Sequence, residues 1–371
     1  MLNRILREID YPFFLSMLLL IVLGLLLIYS AALGITPTNE ASVRLLLRQG
    51  IWAVISLFLF FLMAEIDYRQ LPRLSSLIYF IMFLMLISVL IVGKRTSGAQ
   101  RWFSLGPITI QPSEFAKVMA LITLSSYWAK KYQEADSLKV LFKSFIHIAI
   151  PLLLVFLQPD LGTSLTFLIL WLASLLLVGA KAKHIIAIAF SFLLLAVGAW
   201  HFDILRPYQK QRIQAFLNPR SDPLGAGYHI IQSKIAIGSG EVWGKGLFKG
   251  TQNRLNYIPA QHTDFIFTVA GEELGLAGCI AILALFFILV WRCFFTALHT
   301  EDILGQLISA SVGILLLFHI FVNIGMTLGL LPAVGIPLPF LSYGGSHLLS
   351  FCLMLGITQS IYRRRKKLSF R

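Results

Sequence analysis

One aspartate stands on the border between a polar loop and an apolar run of helix-forming length. Within Gly250 to Gly275, GTQNRLNYIPAQHTDFIFTVAGEELG, a polar, basic loop runs through Pro259 and His262 into Asp264, and there the chain turns apolar. A carboxylate on the border between water and a membrane-length helix is costly unless something stabilises it, which makes it a functional candidate by default. Its chemistry there would be that of a general base, taking a proton from a hydroxyl. The competing reading is a helix cap, where an acid is favourable by about 0.3–1 kcal/mol. Taken alone, Asp264 fits either.

Other polar residues flank apolar runs in the same way. In SGAQRWFSLGPITIQPSEFAK, Pro112-Ser113-Glu114 reads as a helix start, and Glu114 and Lys117 share a helix face. The pair is either a local cap with an ion pair, or a functional pair whose Lys117 meets a phosphate. Trp102 beside Arg101 is an interfacial anchor or a platform for a sugar ring. Gln158-Pro159-Asp160-Leu161-Gly162 is a tight turn in which Asp160 can cap the next helix. A long loop carries Arg206, Lys210, Arg212, Arg220, Lys234, Lys245, Lys249 and Arg254 against Asp203, Asp222 and Glu241. That excess suits a pyrophosphate headgroup or, equally, a solvated surface. In Pro337-Leu338-Pro339-Phe340-Leu341-Ser342-Tyr343-Gly344-Gly345-Ser346, prolines and glycines break a helix entrance next to hydroxyls such as that of Ser342, and broken backbone at membrane depth must be buried or line a cavity.

The elements that must position these residues follow from composition. Hydrophobic residues make up 57% of the chain and charged residues 13%, with mean hydropathy +0.80, which marks an all-α polytopic membrane protein rather than a soluble domain or a β-barrel. Ten spans are predicted, roughly 11–33, 46–65, 74–93, 113–130, 144–158, 161–180, 185–202, 265–292, 305–330 and 343–362, in a single domain covering 1–371. The first reads as an uncleaved span. An even count puts both termini on one side. With that side cytoplasmic, inner loops and tails hold 17 of the 31 Lys and Arg, including the basic tail 363–371, in accord with the positive-inside rule. The net charge of +14 therefore reflects membrane anchoring, and nucleic acid is not an expected partner.

The loop 203–263, between the seventh and eighth spans, faces outward and contains a helix-like run, Tyr228 to Ile237. Asp264 to Arg292 is 29 residues, about 43 Å of straight helix against a hydrocarbon core of about 30 Å. A break is therefore expected at Gly271–Gly275. Gly238-Ser239-Gly240-Glu241-Val242-Trp243-Gly244-Lys245-Gly246 looks like a phosphate loop, but its glycines are misplaced and no Ser or Thr follows Lys245. HExxH, CxxC and GxSxG are absent, and Cys279, Cys293 and Cys352 are isolated in apolar runs. No metal site is expected from the residues.

In order, QRWFSLGPITIQPSEFAK, QPDLGTS, DPLGAGYHIIQSKIAIGSG, HTDFIF, GEELG and PLPFLSYGGS resemble the motifs of the SEDS family (shape, elongation, division, sporulation) over about residues 95 to 350. Within it, the short N-terminal tail and the third motif resemble the elongation branch, RodA, more than the division branch, FtsW. The resemblance implies a ten-helix peptidoglycan glycosyltransferase of the bacterial cytoplasmic membrane that polymerises lipid II on the outer face. It also implies a class B penicillin-binding protein as transpeptidase partner within the elongation complex. Asp264 matches the family's essential aspartate, and Glu114 and Lys117 its functionally important pair. Asp160, Trp102 and Arg212 match further motif positions.

One carboxylate acting on an acceptor hydroxyl would suffice, because a lipid diphosphate leaving group needs charge neutralisation rather than an acid. Lys117, loop Arg and Lys residues, or a divalent cation (Mg or Mn) could supply it. A lipid II flippase and a non-catalytic scaffold for the transpeptidase are the alternatives. A flippase needs polar groups along a full transmembrane path, whereas these candidates collect almost entirely at the outer face; Glu272 and Glu273 are the main exceptions, and they too fall in the outer half.

Overall fold

The protein is described by a computed structural model covering residues 8–33, 40–96, 99–105, 108–202, 207–219, 226–251 and 261–365. Arg206, Arg220, Arg254, Asp203 and Asp222 of the basic loop, and residues 366–371 of the tail, lie outside the described residues.

Helices occur over each predicted apolar run: α1 Tyr11–Ala32, α2 Glu40–Glu65, α3 Ser75–Val92, α4 Pro112–Lys131, α5 Leu138–Leu157, α6 Leu161–Leu177 and α7 Ala182–His201. Two helices follow in the long loop, α8 Pro207–Leu217 and α9 Ala226–Ser239, the latter over the expected helix-like run. The last three are α10 Ile266–Leu298, α11 Ile303–Thr327 and α12 Gly345–Arg365. Six of them, α1, α2, α3, α5, α10 and α11, are long and apolar enough to cross a membrane. Helices α4 and α12 are less apolar because they carry their polar residues inward: Ser113, Glu114 and Lys117 on one, His347, Ser350 and Gln359 on the other, are all buried. The bundle thus hides its polar groups inside and turns Phe58, Phe80, Phe287 and Phe321 outward.

A purely helical chain was expected, and one segment departs from it. Between α3 and α4 the chain forms an antiparallel meander, β1 Lys94–Thr96, β2 Ala99–Leu105 and β3 Ile108–Ile110, with Trp102 opposite Lys94 and Phe103 opposite Ile110. Aromatic and β-branched residues here favour a pleated strand over a helix. Helix α12 packs along α2, α10 along α11 and α1, and α4 along α3. At the end of α12 far from the polar loops, Arg363 binds Glu65 at 2.6 Å and Glu8 at 3.2 Å, and Arg292 of α10 binds Asp10 at 2.6 Å. The arginines read from sequence as a membrane anchor therefore also fasten α12 to α2 and to the chain before α1.

The expected break in α10 falls at Gly275, whose φ of 65° and ψ of −165° leave the helical region. Only glycine adopts such a conformation without strain. The two N–H groups released by the break are taken up by the glycine-rich loop: Leu276 N donates to Glu241 O (2.9 Å) and Ala277 N to Val242 O (3.0 Å). In return, Lys245 N and Gly246 N donate to Glu272 O and Glu273 O, both at 3.0 Å. The side chains extend the seam. Glu272 Oε1 accepts from Lys245 Nζ and Thr251 N, each 2.8 Å, and Glu273 Oε2 accepts from Phe248 N at 3.0 Å. The segment that looked like a phosphate loop is a backbone clasp for a broken helix.

Candidate functional site

Asp264 closes the turn before α10, and its position is set through three consecutive carbonyls. Tyr343 N donates to His262 O (2.8 Å), Ser342 Oγ to Thr263 O (2.6 Å), and Asn323 Nδ2 to Asp264 O (2.9 Å). Asn323 also donates to Ile336 O at 2.8 Å, which ties the turn to the loop after α11. Ser342, a candidate substrate contact, is buried, and its Oγ also accepts from Leu338 N at 2.8 Å. It braces the wall rather than lining it.

The turn opens on a cavity of about 430 Å³. Asp264, Glu114, Asp160, Arg212 and Trp102 all line it, so residues from five separate chain segments converge there. Lys117 and Ser342 are not among the lining residues.

Glu114 sits in the first turn of α4, with Oε2 2.8 Å from Lys117 Nζ. Both side chains are nearly sealed from solvent, and the ammonium also lies 5.5 Å from the centre of the Phe351 ring. The functional alternative read from the sequence had Lys117 meeting a phosphate. Here Glu114 lines the cavity and Lys117 stands behind it, because a helix face one turn deeper lies inside the bundle.

Asp160 caps α6, accepting from Thr163 N at 3.2 Å, and its other oxygen accepts from Gln111 Nε2 at 3.0 Å. Cap and cavity wall are one residue here. Arg101 lies 3.8 Å from Asp160 and donates to the carbonyls of Gln158 and Pro159, so β2 is pinned to the α5–α6 turn. That fastening holds the neighbouring Trp102 at the cavity.

Burial pushes the Asp264 carboxyl above the ordinary carboxylate range; Arg212, a hydrogen bond with Thr263 and Arg101 pull it back, and Asp160 raises it. A carboxylate made more basic in this way is a better proton acceptor near neutral pH. Gly335, at φ 75°, faces this group: a Cβ there would lie 3.5 Å from Asp264 Oδ2 and 3.8 Å from Arg212 Nη1. Acid and guanidinium are therefore both within 4 Å of one point, with bare backbone between them. Among the described residues, no three His, Cys, Asp or Glu side chains form a group able to hold a metal ion. Asp264 and Asp160 are the carboxylates on the Arg212 side of the cavity from which a divalent cation could draw oxygens.

The sequence profile of the cell cycle protein family FtsW/RodA/SpoVE matches residues 11–367. The chain belongs to this family. MrdB of Escherichia coli K12, named a peptidoglycan glycosyltransferase, is 39% identical over 351 residues, covering 95% of this chain and 94% of MrdB. RodA of Treponema pallidum, named likewise, is 32% identical, covering 96% and 98%. A solved structure described as a peptidoglycan synthase complex coordinating polymerization and crosslinking matches with a TM-score of 0.80 at 29% identity, covering 96% of this chain and 98% of that one. Thermus thermophilus RodA matches at 0.70 and 28%, covering 96% and 97%.

In this FtsW/RodA/SpoVE member, several site residues lay outside the sequence reading. His347, Gln111 and Gly335 line the cavity, and Asn323 holds its floor. His347 and Asn323 carried a usable signal, since each is a polar side chain in a membrane-length apolar run. Gly335 carried none, because its role depends on a fold that brings it against Asp264.

Proposed function

We propose that the chain is a peptidoglycan glycosyltransferase of the elongation type that polymerises lipid II at the outer face of the bacterial cytoplasmic membrane, with ten spans, both termini cytoplasmic and 203–263 outside. The observation that carries the site assignment is the convergence of Asp264, Glu114, Asp160, Arg212 and Trp102 on one cavity. Asp264 accepts the proton of the acceptor's 4-hydroxyl as that oxygen attacks the donor's anomeric carbon. The bond from that carbon to the diphosphate breaks, and the configuration inverts. Arg212 and Arg101 neutralise the charge that develops on the departing lipid diphosphate, and Trp102 stacks on a sugar ring. Asp264 or Asp160 would hold a divalent cation if one binds, and its charge would supply the same neutralisation.

A class B penicillin-binding protein is the proposed partner, by analogy with the synthase complex that this chain resembles in fold. The flippase reading is the weaker one. Glu272 and Glu273, the two acids within α10, are bound to the glycine-rich loop and line no part of the cavity. The deciding assay is lipid II polymerisation by the purified protein. Asp264→Asn is expected to slow it by about 10²–10⁴-fold while lipid II binding persists; near-normal chain formation would sink the assignment.

A further inference from the structure

Glu114 makes its contacts through one oxygen. Lys117 Nζ at 2.8 Å, His347 Nδ1 at 3.0 Å and Ser350 Oγ at 3.0 Å all converge on Oε2. Among the described residues, no donor reaches Oε1, and the residue lines the cavity. The terminal torsion of a glutamate is broad and nearly two-fold, so something must select this arrangement. Lys117 cannot do so alone: it lies on the same helix and moves with Glu114.

His347 comes from α12, and its ring is held from two sides. Phe351 stands edge-on at 4.9 Å and His319 lies tilted at 5.2 Å, centroid to centroid. His319 is in turn hydrogen-bonded at Nδ1 to Pro337 O at 3.3 Å. A carboxylate oxygen only accepts, so His347 Nδ1 carries the hydrogen that it donates to Glu114. His347 is 4% exposed, which leaves the ring little freedom to turn away.

We propose that His347 is a positioning residue for Glu114: its immobilised Nδ1–H fixes the carboxylate so that Oε1 faces the cavity as an acceptor for a substrate N–H or O–H. This rests on the reading that Glu114 takes part in polymerisation. It adds a residue from α12 to the site, and it makes the packing of α4 against α12 a determinant of rate. Ser350, one turn further along α12, supports the same oxygen.

The test compares His347→Asn, His347→Gln and His347→Leu in the full-length protein, using lipid II polymerisation rates, with thermal melting as the check on folding. Asparagine keeps an N–H near the position of Nδ1, glutamine moves it to that of Nε2, and leucine removes it. Leucine and glutamine should lower kcat by about 10- to 100-fold, the range commanded by a hydrogen bond to a charged group, and asparagine should recover most of the rate. The proposal is overturned if leucine or glutamine leaves the rate unchanged, if asparagine falls as far as leucine, or if no variant folds. Should only the leucine variant fail to fold, the asparagine–glutamine comparison decides. Glu114→Ala at full rate, or an inert wild-type protein, would instead refute the reading beneath.

Discussion

Gly275→Ala is the sharpest probe of the clasp on α10. A Cβ at Gly275 would press on Gly244 N and approach Val242 O to 2.7 Å, so the glycine-rich loop must withdraw. Alanine at this φ and ψ costs about 1–3 kcal/mol. Withdrawal removes the acceptors of Leu276 N and Ala277 N, each worth about 1–3 kcal/mol when a donor in a membrane-length apolar helix is left unsatisfied. The least sum is about 3 kcal/mol, which should lower the melting temperature by about 4 °C or more. Gly238→Ala is the matched control: a Cβ there meets nothing within 4 Å, and the residue lies in α9. Removing a helical glycine should stabilise by about 0.5–1 kcal/mol. Thermal unfolding of both purified variants is the assay, with polymerisation read in parallel, because Ile266–Leu274 carries Asp264 at its front. If Gly275→Ala melts within about 1 °C of Gly238→Ala, less than about 1 kcal/mol separates them and the clasp does not act as described.

Because the base must be unprotonated and burial raises the Asp264 carboxyl, polymerisation should fail on the acid side at a higher pH than an ordinary aspartate would dictate. Arg212→Gln removes a stabilising charge and should move that limb higher still; a rate profile against pH for both proteins checks this. Ser342→Ala strips the partners of Thr263 O and Leu338 N. It should lower kcat with little change in KM for lipid II, whereas a raised KM with kcat intact would restore Ser342 as a substrate contact. Lys117→Met leaves the Glu114 carboxylate buried without its cation and should destabilise by about 3–5 kcal/mol. Adding Glu114→Gln should return much of the lost melting temperature without restoring polymerisation.

Much of this architecture is legible in the residue order. Apolar runs near membrane length mark the helices, and the excess length after Asp264 marks the break, because both follow from distances along one chain. Asp160 and Trp102 could be named because turn and aromatic signals are local. What escaped depends on contacts between distant segments. Nothing in PSEFAK says that Lys117 points inward, since that is decided by α12 and Phe351. Ser342 looked like a binding hydroxyl because its partners, Thr263 O and Leu338 N, are carbonyl and amide groups that any residue would supply. The meander at 94–110 was hidden by its brevity, with two strands of three residues each.

The three carbonyls at 262–264 are held by two distant stretches: α11 through Asn323, and the segment before α12 through Ser342 and its neighbour Tyr343. Segments scattered along the chain therefore form one transplantable unit. A chimera that exchanges the 203–263 loop with a relative's should take residues 261–265, Asn323 and 336–344 from a single parent. Seams drawn between motifs, where sequence suggests the natural joints, would separate the aspartate from the scaffold that aims it.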